Sequence, residues 1–159
     1  MTYDIEKTCC FTGHRIIPQK DRSFLEKETE KVCISLIEKG YENFIAGGAL
    51  GFDTLAEKCV LKLKEKYPNI KLILTIPCKD QHKNWTQKDK AVYEEILSLA
   101  DDKIYVSEFY SPECMKKRNR FMVDHSSAVV AYITKVTGGA VYTVTYGVEK
   151  GREIIFIRP

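Results

Sequence analysis

The stretch GGALGFD, Gly47 to Asp53, places three glycines and one carboxylate between an apolar run, Phe44 to Ala46, and a helical pattern that continues as TLAEK. Glycine lets a backbone approach a ligand closely, and a helix start offers unpaired N–H groups with a partial positive charge. Such a turn suits a phosphate. Two further turns carry the same chemistry, Thr12 and Gly13 in FTGHR, and Thr137, Gly138 and Gly139 in VTGGA. A glycine in a turn can equally serve only a positive φ, but three such turns together describe a cradle.

Asp53 is the candidate catalytic residue. It falls in the first turn of its helix, where the dipole stabilises a carboxylate, so it reads as a capping acid, as an acceptor for a ribose hydroxyl, or as a general base. Arg118 shares a helical face with Cys114, Met115, Phe121, Met122 and His125 and interrupts an otherwise apolar stripe. A guanidinium there requires a carboxylate, a carbonyl or a phosphate, because an unpaired buried charge is too costly. Trp85, the one tryptophan, stands in PCKDQHKNW and could stack on a base or anchor its loop. The three histidines and six cysteines show no metal-ligand spacing and no C-x-x-C pair, so no metal is expected and the cysteines read as small hydrophobes.

These residues need elements to hold them. Strands are expected at KTCCFTG, YENFIAGG, IKLILTIP, DKIYVS, SSAVVAYIT and REIIFI. Helices are expected at 21–39, 49–67 and 88–100, and from Pro112 to His125, with the Ser111 hydroxyl as cap and Pro112 in the first turn. VYTVTYG alternates like a strand, but two parallel neighbours on either side of it require a crossover, so Ala140 to Lys150 is expected to be a helix with Val141, Val144 and Val148 on one face. Strands and helices in alternation, without a Pro-rich linker, imply one α/β domain over 1–159, Rossmann-like and doubly wound, with a mainly parallel sheet and helices on both faces. In such a sheet the glycine turns lie on one rim, at the carboxyl ends of the strands.

Composition narrows the partners. The chain has 159 residues, 44% of them hydrophobic, enough for a core without disulfides or metals. Its net charge of +3, from 25 basic and 22 acidic residues, makes a weak electrostatic case for nucleic acid, although MKKRNR and HKNW concentrate basic groups. The longest apolar run, Ala128 to Ile133, is far too short to cross a bilayer, and the first residues do not resemble a secretory signal. A cytoplasmic protein without a membrane partner is expected.

FTGHR, GGALGFDTLAEK, MKKRNRFMVDHSS and TGGAVYTVTYG together resemble the SMF/DprA-LOG (SLOG) superfamily, and most closely its small YpsA-like members, in order and over nearly the whole chain. The resemblance implies a Rossmann-like fold whose rim binds a nucleotide or nucleotide-derived small molecule such as ADP-ribose or NAD, with no cofactor required. By match to those motifs, Gly13, Arg15, Gly47, Gly48, Gly51, Asp53, Arg118, Asn119, Gly138 and Gly139 would line it, with Trp85 added as a stacking residue. It also suggests a homodimer.

Two branches of the superfamily suggest sharper activities. LOG-type phosphoribohydrolases use the acid of a P-G-G-x-G-T-x-x-E motif to release a base from a nucleoside monophosphate. Here the aligned TGGAVYTVT has Val141 for the third glycine and Thr145 for the glutamate, so an N-glycosidic hydrolase would need Asp53 or Glu149 instead. DprA-like proteins act on single-stranded DNA, which would make this chain an accessory DNA-binding protein. Binding or sensing of a nucleotide-like ligand is the reading the residues favour.

Overall fold

The computed structural model describes residues 2–158. Strands β1 (Thr8–Gly13), β2 (Asn43–Ala46), β3 (Lys71–Ile76), β4 (Asp102–Tyr105), β5 (Ala128–Tyr132) and β6 (Glu153–Phe156) alternate with helices α1 (Gln19–Glu38), α2 (Phe52–Leu63), α3 (Gln87–Leu99), α4 (Cys114–Asp124) and α5 (Gly139–Glu149). Every pairing is parallel, and the order across the sheet is β4-β3-β2-β1-β5-β6. The chain steps outward from β1 to β4 and then returns to the other side of β1. Strand order therefore reverses between β1 and β5, which is where a doubly wound sheet opens a crevice at its carboxyl rim. The fold is α/β and Rossmann-like.

The apolar runs are continuous because the inner strands are covered on both faces. Phe11, Phe44, Leu72, Leu74 and Val130 pack in one core cluster with Leu25 and Leu36 of α1, Leu55 and Val60 of α2, and Ile96 of α3. The intervening Cys10, Ile45, Ile73 and Val129 point the other way, against Met122 and Val123 of α4. This period of two assigns each central-strand residue to one of the two layers.

Helix α2 stops at Leu63, short of the expected 67, and three further helix ends or faces differ from expectation, each for a local reason. Helix α2 begins at Phe52 because Gly51, at φ +81°, cannot join a right-handed helix. Helix α4 begins at Cys114, not Pro112: the Cys114 N–H donates to the Ser111 carbonyl at 3.2 Å in a turn, and no side chain caps the helix. Helix α5 forms as expected but buries Ala140, Thr143 and Gly147, leaving Val148 exposed. Gly147 sets that face, since a Cβ there would stand 3.1 Å from Ile154 Cδ1 and 3.4 Å from Val129 Cγ2, so the bare backbone is what lets α5 settle on the sheet.

All six cysteines are free thiols, five of them buried and Cys59 half-buried. Among the described residues no helix is long and apolar enough to cross a membrane, and no cluster of three or more potential metal ligands occurs.

Gly51 joins two loops of the rim. A Cβ on it would lie 2.5 Å from the His14 carbonyl oxygen and closer still to that of Arg15. Gly51→Ala combines a left-handed backbone with this overlap, and it is expected to cost about 2 kcal/mol or more. Urea unfolding should show a lower midpoint at an unchanged slope, and an unchanged midpoint would refute the constraint.

Candidate functional site

The carboxyl ends of β1 and β5 enclose a cavity of about 440 Å³. Thr12, Gly13, His14, Arg15 and Ile16 form one wall, Met115, Arg118, Asn119 and Met122 of α4 another, and Lys135, Thr137, Gly138, Gly139 and Ala140 a third, with Ala49 and Asp53 at the α2 side. Seven residues singled out in the sequence thus come together: Gly13, Arg15, Asp53, Arg118, Asn119, Gly138 and Gly139. Gly47, Gly48, Gly51 and Trp85 are not part of this lining.

The glycines of GGALGFD serve the protein's own groups. A Cβ on Gly47 would come within 2.7 Å of Arg118 Cζ and 2.9 Å of Asp53 Oδ2, so this glycine makes room for a guanidinium and a carboxylate. The Gly48 N–H donates to Glu57 Oε2 at 3.0 Å, and the Ala49 N–H donates to Asp53 Oδ2 at 3.2 Å. The Phe52 N–H is taken by the His14 carbonyl at 3.1 Å. The donors expected to cradle a phosphate after β2 are therefore engaged by side chains and by the loop after β1.

The start of α5 is different. Gly138, at φ +116°, precedes it, no side chain caps it, and its first internal bond runs from the Tyr142 N–H to the Gly138 carbonyl. The N–H groups of Gly139, Ala140 and Val141 precede that bond, and Gly138 to Ala140 border the cavity. They make an uncapped, positively polarised helix terminus facing the space.

Arg118 is 5% exposed. Its Nη1 donates to the Gly47 carbonyl and, at 3.4 Å, to that of Thr75, and its Nε donates to Asn119 Oδ1 at 2.8 Å. Nη2 meets only the Met115 thioether, a weak acceptor, at 3.9 Å. The guanidinium, part of the cavity lining, is thus fixed through Nη1 by carbonyls and keeps unused donor capacity on Nη2. At the mouth, His14 Nε2 accepts the N–H groups of Thr134 at 2.8 Å and Lys135 at 3.3 Å, which requires that nitrogen to be unprotonated and ties the loop after β1 to the loop after β5. Burial, and then the Lys135 charge, lower the His14 pKa in the same sense.

Glu57 and His14 are the residues that sequence reasoning passed over. Glu57 lies one turn beyond Asp53, and like charges at that spacing weaken a helix unless one of them is neutral or paired, which was a readable signal. Glu149 sits at the exposed far end of α5, about 15 Å along the helix from Gly139, and Thr145 is exposed with its hydroxyl bonded to the Val141 carbonyl. Neither lines the cavity. Asp53 is the acid in the cavity lining among the described residues.

Three buried ionisable side chains, Asp53, Glu57 and Arg118, stand within this corner. Burial raises the Asp53 pKa, and the Arg118 charge opposes that rise. Burial pushes Glu57 well above the ordinary glutamate value of 4.5, and the nearby Asp53 charge adds to the rise. Desolvation also lowers the pKa of Arg118. An acid whose pKa is raised by folding binds its proton more tightly in the native state, so the stability it contributes is present in acid and fades as pH climbs through the folded value. Glu57→Gln removes this dependence. Its melting temperature relative to the natural protein is expected to improve steadily from about pH 5 to about pH 8, and a pH-independent difference would show that Glu57 is ionised in the fold.

Comparison with known proteins agrees with the architecture. The SPbeta prophage-derived protein YoqJ of Bacillus subtilis is 44% identical over 100 residues, covering 55% of this chain and 58% of YoqJ. A UPF0398 protein of Bacillus cereus is 33% identical over 130 residues, covering 80% of this chain and 71% of its own length. Among solved structures, DNA processing protein A (DprA) of Streptococcus pneumoniae superposes with a TM-score of 0.70 at 19% identity, over 97% of this chain and 51% of DprA. DNA processing protein A of Helicobacter pylori gives the same TM-score of 0.70 at 16% identity, over 96% of this chain and 65% of that protein. The chain thus spans about half to two thirds of these structures and 58% of YoqJ. At these identities the solved structures speak for the fold. The model of the YspA SLOG family matches residues 12–153, from the first glycine turn to the last strand, and the chain belongs to that family.

Proposed function

We propose that the protein binds a nucleotide or nucleotide-derived anion in the cavity at the carboxyl rim. The observation that carries this reading is Arg118, a residue of the cavity lining buried to 5% exposure, whose Nη2 is held only by a thioether. An anion there completes the hydrogen bonding of a charge already desolvated, and a phosphate offers the matching acceptors. The uncapped start of α5 supplies backbone donors to the same anion, and Arg15 and Lys135 add positive charge at the mouth.

Asp53 gives the cavity its polarity. A carboxylate already holding the Ala49 N–H can accept one or both hydroxyls of a ribose, while Phe11, Met115 and Met122 give an apolar wall. An ADP-ribose-like or NAD-like molecule satisfies each of these features, with a phosphate against Arg118 and a sugar against Asp53. A hydrolase of the two-carboxylate kind needs a second acid beside Asp53, and among the described residues the lining offers Asp53 alone, so any hydrolysis here would run on that single acid.

Single-stranded DNA is the alternative, since DNA processing protein A of Helicobacter pylori has a single-stranded DNA binding mode on a similar fold. Thermal unfolding separates the two. ADP-ribose, NAD, nucleoside phosphates and a short single strand are each added to the natural protein, to Arg118→Gln and to Asp53→Asn. A small ligand at about a hundred times its dissociation constant adds about 2.7 kcal/mol, which raises the melting temperature by several degrees for a chain of this size. The expected result is a rise with one or more nucleotides that both substitutions abolish. A rise with DNA alone, or with nothing, overturns the proposal.

A further inference from the structure

Trp85 and Glu57, which the rim cavity leaves out, meet elsewhere. On the opposite side of the Leu50–Gly51 turn, α1, α2 and α3 enclose a second cleft of about 240 Å³. One wall is aromatic: Trp85 packs edge-on to Tyr93 with centroids 5.3 Å apart, and His82 backs Tyr93 at 4.6 Å, so the indole is held in a fixed orientation. Glu57, 2% exposed, borders the cleft from α2, with Oε2 taken by the Gly48 N–H and the other carboxyl oxygen left for an occupant. At the mouth stand three cations from three helices, Arg22, Lys58 and Lys88, with Asp89 in the same lining and Glu26 paired to Arg22 at 3.9 Å in an exposed ion pair.

These groups specify an occupant with three parts. A fixed indole face takes a flat ring. With Oε2 engaged by Gly48, Glu57 offers its other oxygen, an O–H donor when protonated and an acceptor when not, to a single nitrogen or oxygen on the edge of a heterocyclic base. A cluster of cations at the mouth takes an anion on the same molecule. The volume admits a ring and a sugar, with the anion outside among the cations.

We propose that this cleft is a second ligand site, separate from the rim cavity, and that it takes a nucleoside monophosphate with its ring on Trp85, its base edge toward Glu57 and its phosphate among Arg22, Lys58 and Lys88. It does not require the rim cavity to be occupied. The neighbouring N–H groups of Gly48 and Ala49 bond Glu57 and Asp53 respectively, so a single stretch of backbone borders both sites.

Trp85 is the sole tryptophan, so intrinsic fluorescence reads this cleft directly. The full chain is titrated with adenosine and guanosine 5′-monophosphates, and with adenine, ribose 5-phosphate and inorganic phosphate as partial probes. The titrations are repeated on Arg22→Ser/Lys88→Ser, both exposed positions, and on Arg118→Gln at the rim cavity. Lys135→Ser replaces Arg118→Gln should that variant unfold. A saturable change with at least one monophosphate is expected, with inorganic phosphate silent. The double substitution should raise the dissociation constant about tenfold, and the rim variant should leave it within about threefold. No saturable change at millimolar monophosphate, or one that the double substitution does not weaken, overturns the proposal. A change lost with the rim variant and untouched by the double one assigns the signal to the rim cavity instead. Because the rim site is read by Arg118 and Asp53 and this one by Arg22 and Lys88, either can fail alone.

Discussion

The guanidinium of Arg118 lies where a charge is costly, and the rim is arranged around that cost. An ion moved from water into a protein interior loses several kcal/mol unless its donors find acceptors. Arg118 finds them in the carbonyls of Gly47 and Thr75, at the ends of β2 and β3, and in the amide of its neighbour Asn119. The requirement propagates. Residue 47 must be glycine because the guanidinium occupies the space of its side chain, and α4 is held across the strand ends by a polar clasp as well as by Met122 and Val123.

The carboxylates are arranged by the same charge. Asp53, whose carboxyl borders the space above Gly47 with Arg118, has its pKa rise opposed by that cation, whereas Glu57 answers chiefly to burial and to Asp53. Two acids one helical turn apart thus sit in environments that push them differently, which is how neighbouring carboxyls come to hold different protonation states. The family match covers the whole of this arrangement, from Thr12 to Glu153.

Much of the fold was legible because the central strands are buried on both faces and the crossovers are short, so apolar runs mark the inner strands and a glycine follows α1. The faces of helices were less legible. Val141, Val144 and Val148 looked like the buried stripe of α5, yet Gly147 decided the matter by permitting contact that no side chain could match. The site was legible by residue type and less so by role. Three glycine turns suggested three phosphate contacts, but the turn after β2 spends its N–H groups on Glu57 and Asp53, and the turn before α5 keeps its own. Nothing in a linear pattern distinguishes a glycine that admits a ligand from one that admits the protein's own arginine, because the partner arrives from a helix some seventy residues away.

The peptide from Gly48 to Ala49 is the seam between the two halves of this chemistry. Its own N–H, that of Ala49, meets the carboxylate of Asp53 facing the rim cavity, and the N–H just before it, that of Gly48, meets the buried acid Glu57 facing the α1–α3 cleft. Negative charge brought to Arg118 lowers the positive potential that Asp53 and Glu57 share, since that cation counts in the titration of both. The pKa of Glu57, which burial already raises well above the ordinary value, is then pushed further the same way. A protonated Glu57 would present an O–H donor on the cleft side, so an anion brought to Arg118 would favour that form of Glu57. The coupling needs no movement of the backbone, only the short distances over which buried charges act in a medium of low polarity.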